Sequence, residues 1–320
     1  MTSTPLFGLG TTTITPEAGA ALARTGDDAG VFFARHQCGD WGEVEDSTRQ
    51  ANELALRHGR SLYSLYRLSD GTEVLVGTAA NHASTRMLLA VEFLFREMNT
   101  REGYALWAAS YDQEQNALIA VEEPLVDALL AELSFADVLD VGSGTGRYAL
   151  KLARQGAQVT AIDQSPEMLA VAQDAARRGR LAIDFLLAPL EDGLPFEASR
   201  FDFLMCALML CHVPELGHAI QEFARVLRNG GHVLITDFHP DAPGYGWRTE
   251  FRRSGIKYML PNMPHTRADY LEALQANGFT ILKVMDVPLG EVPEGYLSEA
   301  MLHGNENKRF CLIILARREG

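Results

Sequence analysis

The residues with the sharpest chemical implication are Asp140-Val141-Gly142-Ser143-Gly144-Thr145-Gly146, which continue the apolar run Val138-Leu139, and Asp163, which ends a second apolar run about twenty residues later. Glycine adopts positive φ at little cost and has no Cβ, so backbone here can pass very close to a ligand. At the carboxyl end of a strand in an open α/β sheet, such a loop sits where ligands bind. The spacing is not the dinucleotide one: Arg147 stands where that fingerprint needs its last glycine, and no Gly-Lys-Ser/Thr follows as a phosphate loop requires. Asp163 offers a carboxylate able to accept both hydroxyls of a ribose. Loop and acid together describe an adenosine-bearing ligand without a pyrophosphate.

Those residues need strands to hold them. From about residue 104, runs that read as strands (135–141, 158–163, 182–188, 201–208, 230–238, 279–286 and 309–318) alternate with helical stretches between the first five, the pattern of a parallel sheet covered on both faces. The fold class expected is α/β, with one seven-stranded doubly wound sheet. Ahead of it, residues 1–98 read as a smaller α+β unit. Thr15-Pro16-Glu17 starts a helix that Gly26 ends, and residues 61–68 and 73–79 form a hairpin through Ser69-Asp70-Gly71. Residues 83–110 look helical, with Asn99–Gly103 as their best break, so the expected domains are 1–98 and 104–320.

The glycine motif Asp140-x-Gly142-x-Gly144-x-Gly146 resembles the first motif of the class I, Rossmann-like S-adenosylmethionine-dependent methyltransferases, and Asp163 resembles their ribose acid. Further matches follow in order: Leu194-Pro195-Phe196 with Phe201-Asp202, then His212-Val213-Pro214, then Phe223–Gly231 with Asn229 where the family usually has proline. Trp107–Asn116 is similar to the family's amino-terminal helix, whose tyrosine, here Tyr111, closes over the methionine moiety. The resemblance covers roughly residues 104–317 and is nearest to the quinone and small-molecule group. It implies S-adenosyl-L-methionine as cofactor, bordered by Tyr111, Asp140, Gly142, Ser143, Gly144, Thr145, Gly146, Asp163, Gln164, Met168, Ala207 and His212. The family's adenine-binding acid falls on Pro189, so Leu190 backbone or the Glu191 side chain is expected in its place.

Methyl transfer from a sulfonium is an in-line displacement, so alignment and exclusion of water dominate, and a general base is needed only for a weakly acidic acceptor. His239, after the fifth strand, and His265, opening a helix, are the expected catalytic groups. Asp237, Tyr245, Trp247, Tyr258 and Met259 are expected to shape the acceptor site, in an insertion (residues 241–264) that reads as a lid or wall. Met205, Met209 and Met168 stand in apolar runs and read as core. The amino-terminal unit carries Arg35-His36-Gln37-Cys38-Gly39-Asp40-Trp41-Gly42, Asn52 and Ser64-x-Tyr66, which resemble a small plasmid-associated bacterial family of unstated function. Where that family continues with an acid, this chain has residues 78–84, Thr-Ala-Ala-Asn-His-Ala-Ser, and a structural role for the cluster is the expectation.

The formal charge of −14 argues against nucleic acid as the main partner, because phosphate backbone is bound by clustered Lys and Arg. The absence of a CxxC pair among four cysteines, of a signal-like start and of a long apolar run points to a reduced, cytoplasmic protein without a membrane span or bound metal. The expected partner is a small-molecule acceptor methylated on oxygen, nitrogen or carbon in secondary or cofactor metabolism; a homodimer stays open. Two alternatives stay open as well: a regulatory subunit that senses the cofactor without turnover, and a macromolecule methyltransferase recruited by the amino-terminal unit. Against the latter, residues 207–210 read Ala-Leu-Met-Leu where an Asn/Asp-Pro-Pro-Tyr/Phe motif would stand.

Overall fold

The computed structural model describes residues 5–44, 46–93, 95–253 and 256–320. They divide into two compact units: Met1–Arg96 with Phe251–Tyr258, and Glu97–Glu250 with Met259–Gly320. In the first, strands β1 (Thr11–Ile14), β2 (Leu62–Arg67), β3 (Glu73–Thr78) and β4 (Ser84–Leu89) form a sheet of order β1-β4-β3-β2. Helices α1 (Pro16–Thr25), α2 (Ala29–Gln37) and α3 (Asp46–His58) complete it. The start of α1 follows its sequence: Thr15 Oγ1 accepts the Ala18 N–H, Pro16 sets the first turn, and Gly26 at φ 74° ends the helix by donating its N–H to the Leu22 carbonyl. The β2–β3 hairpin closes through Ser69-Asp70-Gly71, and Leu62, Ser64, Tyr66, Val74, Val76 and Thr78 alternate inward.

Residues 84–89 are a strand rather than the helix their composition suggests. Thr85 and Met87 face inward at period two, and β4 gains partners on both edges, antiparallel with β3 and parallel with β1. A helix, α4 (Thr100–Trp107), follows; the Asn99–Gly103 stretch read as a break is its cap and first turn, with Asn99 Oδ1 accepting the Glu102 N–H.

The second unit holds helix α5 (Ala117–Leu130) and a seven-stranded sheet of strands β5 (Asp137–Val141), β6 (Gln158–Asp163), β7 (Ile183–Leu187), β8 (Phe201–Ala207), β9 (Leu227–Phe238), β10 (Phe279–Pro288) and β11 (Arg309–Arg318). Their order is β10-β11-β9-β8-β5-β6-β7, parallel except for β11, which runs against both β9 and β10. The central strands are buried on both faces. Leu139, Val141, Leu204 and Ile235 enter one core, while Val138, Phe203, Met205 and Leu234 enter the other, which is why these runs read as nearly continuous apolar sequence. Helices α6 (Arg147–Arg154), α7 (Pro166–Gly179), α8 (Leu216–Val226) and α9 (Arg267–Ala276) fill the crossovers. The expected helix between β7 and β8 is absent; Pro189, Pro195 and Gly193 at φ 83° leave only a single turn at Leu190–Asp192. Arg225 of α8 pins that connection by donating to the Leu194 and Phe196 carbonyls.

Candidate active site

The glycine loop leaves β5 at the middle of the sheet, with Gly142, Gly144 and Gly146 at φ 69°, 55° and 88°. A Cβ at Gly142 would meet Met209 Cγ at 2.5 Å, and one at Gly146 would meet Ala172 Cβ at 3.0 Å, so these two are needed for packing. A Cβ at Gly144 would meet nothing within 4 Å: here the chain keeps space open. Asp163 sets the loop from the end of β6. Its Oδ2 accepts the Gly144 N–H at 2.8 Å and its Oδ1 the Ser165 N–H at 2.8 Å, while burial raises its pKa against those two bonds. Beneath the loop Asp140 is buried, its Oδ2 lacks a hydrogen-bond partner among the described residues, and burial pushes its carboxyl up to about 7. Ser143 Oγ is likewise buried without a partner. Arg147, the residue that breaks the dinucleotide spacing, reaches back to buried Glu122 at 2.6 Å, whose other oxygen accepts the Thr236 hydroxyl at 2.8 Å.

A cavity of about 740 Å³, counted to its open mouth, lies against this loop. Of the residues expected at the cofactor, Tyr111, Gly142, Gly144, Asp163, Gln164, Met168, Leu190, Glu191, Ala207 and His212 line it. Asp140, Ser143, Thr145 and Gly146 stand behind the lining. Thr145 nonetheless acts on it, since its hydroxyl donates to Asp112 Oδ1 at 2.7 Å and ties the loop to the turn that carries Tyr111. Met209, read as core, also lines the cavity, as do Thr100, Tyr104, Leu208 and Val213, which sequence reasoning missed. Leu208 adopts φ 56°, rare for a branched residue, held by its N–H on the Thr236 carbonyl at 2.8 Å. The cavity thus runs from the ends of β6 and β7, past the glycine loop, to the turn after β8.

On the β8 side stand two side chains that touch. His212 Nδ1 lies 2.6 Å from the Pro261 carbonyl, which can only accept, so Nδ1 carries the proton. Burial lowers the imidazole pKa, leaving Nε2 bare to accept the Tyr104 hydroxyl at 3.0 Å. The turn is strapped from both sides, as Met263 N–H donates to the Cys211 carbonyl and His265 Nε2–H to the Val213 carbonyl, each at 2.7 Å.

His239 and His265 are not brought to this cavity. His239 is fully buried; Nδ1 accepts the Asp241 N–H at 3.1 Å, so Nε2–H donates to Asp286 Oδ1 at 3.1 Å, and both ring nitrogens are used. Together with His265 it borders a separate small cavity beside Cys211 and Tyr270. Asp237, expected to bind acceptor, is fully buried and accepts from Cys211 N–H, Phe238 N–H and the Tyr270 hydroxyl; it holds the strand end rather than a ligand. Tyr245 and Trp247 meet edge to face at 5.2 Å, with Lys308 over the Tyr245 ring, and Trp247 packs on Phe310. Tyr258 stacks on Phe251 within the first unit, and Met259 presents its carbonyl to the Met98 N–H. None of these four lines the larger cavity.

In the first unit the His36 cluster is a closed hydrogen-bond chain. Thr85 donates to the Leu9 carbonyl, so Thr78 donates to Thr85, His36 Nε2–H donates to Thr78, and Ser64 donates to Nδ1. Burial pushes the His36 imidazole down to about 4. Asn52 bridges both backbone groups of Tyr63, and Tyr66 donates to the Asp40 carbonyl.

A model of the methyltransferase domain matches residues 139–235, the stretch from β5 to β9. A ubiquinone biosynthesis O-methyltransferase of Xanthomonas oryzae pv. oryzae (strain PXO99A) is 31% identical over 166 residues, covering 50% of this chain and 68% of that one. The chain belongs to the S-adenosylmethionine-dependent methyltransferases. Against a second ubiquinone biosynthesis O-methyltransferase, from Xylella fastidiosa (strain 9a5c), this methyltransferase is 39% identical over 104 residues and spans 42% of that relative's length. A structure of a putative S-adenosylmethionine dependent methyltransferase from Listeria monocytogenes shares the fold, with TM-score 0.53 and 18% identity over 64% of this chain and 100% of that one. The residues of this methyltransferase fit its cofactor on two observations, both on the cavity lining: open space at Gly144 and unused lone pairs on the Asp163 carboxylate.

Proposed function

We propose that this methyltransferase acts on a small-molecule acceptor that enters its cavity from the β8 side. The observation that carries the reading is the continuous cavity lined from the ends of β5, β6, β7 and β8, concave and edged by a few convergent polar groups such as Asp163, Gln164, Tyr104 and His212. Bound S-adenosylmethionine supplies an electrophilic methyl group on a sulfonium. Asp163, set by the Gly144 amide, would hold the ribose end, and Leu190 and Glu191 would border the adenine, since both line the cavity beyond β7. Tyr111, fixed through Asp112 and Thr145, covers the methionine end. The names of the two O-methyltransferases above support an oxygen acceptor in cofactor metabolism. No helix among the described residues is long and apolar enough to cross a membrane, and the acidic charge and buried thiols of Cys206, Cys211 and Cys311 support action in the cytoplasm on a partner other than nucleic acid.

The test is calorimetric binding of S-adenosylhomocysteine followed by label transfer from S-adenosylmethionine across a set of hydroxylated, aminated and enolic small molecules. Micromolar binding with transfer to a member of the set supports the reading. Binding without transfer to any of them, but with transfer to RNA or protein, overturns it.

A further inference from the structure

Among the described residues lining the cavity, Tyr104 and His212 alone form a side-chain hydrogen bond to each other. The Pro261 carbonyl fixes the His212 tautomer, and the straps at Cys211 and Val213 keep the ring from turning away. Tyr104 is fixed as well: its ring stacks on Trp107 at 5.9 Å and tilts against Tyr111 at 6.2 Å. The sheet order puts this pair across the glycine loop from Asp163 and Gln164, on the side away from the ribose. A phenol there that donates to a neutral imidazole still has oxygen lone pairs for an incoming hydroxyl.

Resting on the function proposed above, we infer that Tyr104 is a catalytic residue that takes the proton of an acceptor hydroxyl while passing its own to His212 Nε2, with His212 as its positioning residue. The acceptor's O–H bond breaks as its proton moves to Tyr104 Oη, and the Tyr104 O–H proton moves to Nε2. The acceptor oxygen forms its bond to the methyl carbon as the carbon–sulfur bond breaks, with that pair staying on sulfur. The products are an ether, a thioether, neutral Tyr104 and an imidazolium at His212, so the positive charge of the sulfonium is conserved. Tyr104 needs this partner. Burial, and then Tyr111, Cys211, Asp237 and Asp163 around it, hold its phenol well above the ordinary range, so a standing phenolate is excluded and a concerted relay is the low-energy route.

The test uses the full-length protein saturated with S-adenosylhomocysteine and 4-nitrophenol as probe, whose absorbance reports its own ionisation. Tyr104→Phe keeps the ring stack, and His212→Asn removes the proton acceptor. Both should melt cooperatively, and because every protein is read at saturating S-adenosylhomocysteine, a change in affinity at His212, which borders the cofactor, does not enter the comparison. The pH midpoint for ionisation of the bound probe should lie about one unit, or tenfold in proton affinity, lower in the wild type than in either variant. Equal midpoints in all three proteins overturn the relay, and so does failure of 4-nitrophenol to bind the wild type, because the relay requires a cavity that admits a hydroxyl beside Tyr104. If the wild type fails to bind S-adenosylhomocysteine at all, the proposed function falls rather than the relay.

Discussion

The glycine loop of the methyltransferase unit and the Gly39–Gly42 loop of the first unit are alike in sequence density: each sets glycines close to an acid and an aromatic residue, Asp140 and Tyr148 in one, Asp40 and Trp41 in the other. They differ in what they leave undone. Gly42, at φ 67°, carries the chain so close to β2 that a Cβ would lie 2.0 Å from the Leu65 carbonyl oxygen; that carbonyl accepts the Glu43 N–H, and the Leu65 N–H donates to the Trp41 carbonyl on the other side of the glycine. Around it His36, Ser64 and Thr78 satisfy one another, and Asn52 and Tyr66 are spent on the Tyr63 backbone and the Asp40 carbonyl. At Gly144 nothing fills the space, and acids next to it keep lone pairs unspent. Residue types that could do chemistry therefore mark a ligand site only where the fold withholds their partners.

Alanine at these two glycines separates the regions most sharply. Gly42→Ala combines left-handed strain with a backbone collision and should destabilise the first unit by more than about 4 kcal/mol, seen as a lost or greatly lowered unfolding transition. Gly144→Ala meets no atom and pays only the left-handed backbone preference, about 1 to 2 kcal/mol, yet should weaken S-adenosylhomocysteine at least tenfold. If the Gly144 variant binds normally, that open space is not reserved for the cofactor.

His36 sharpens the comparison through pH. Its folded pKa of about 4 lies below the ordinary 6.5, so between those values the unfolded chain binds a proton that the folded chain does not. Stability is complete above about pH 6.5 and falls as pH drops toward about 4, by about 3 kcal/mol for that shift. Urea unfolding of the first unit across this window should show the slope, and His36→Gln should flatten it. An equal slope in both proteins assigns the effect to other groups.

Asp163→Ala comes next, with an expected loss of about 1.5 to 3 kcal/mol in S-adenosylhomocysteine affinity, or at least tenfold, because a charged acceptor disappears and the Gly144 amide is freed. Unchanged calorimetric affinity would remove the ribose role from β6.

Much of this was legible beforehand. The strands of the large sheet could be bounded to within a few residues, since apolar runs buried on both faces of a parallel sheet admit few other readings, and the glycine loop with Asp163 announced the cavity. What the sequence hid was contact between distant segments. Residues 84–89 become a strand only because β1 and β3 flank them, and Tyr104 meets His212 across 108 positions. The sole local hint was that Tyr104 lies seven residues ahead of Tyr111, on the helix leading to it. The fate of His239 was hidden in the same way, in Asp286, 47 residues away.

That last contact carries the smallest effect on ligand binding and the strictest test of the comparison. His239 ends a strand at the ligand edge of the sheet, where a general base would be sought, yet it resembles His36 in kind: fully buried, neutral through burial, and with both nitrogens engaged. Removing it leaves the Asp241 N–H and Asp286 without their partner, which costs about 1 to 3 kcal/mol of stability. Arg267, 2.7 Å from the same Asp286 oxygen, limits the damage on that side. His239→Ala should therefore lower the melting temperature by several degrees and leave S-adenosylhomocysteine affinity unchanged, as should His265→Ala, which loses one bond to the Val213 carbonyl. Because that bond is one of the straps on the turn bearing His212, a weakened cofactor complex in His265→Ala but not in His239→Ala would make the strap, and not the ring, the functional element. Weakened binding in both would show that the smaller cavity and the larger one act as a single site.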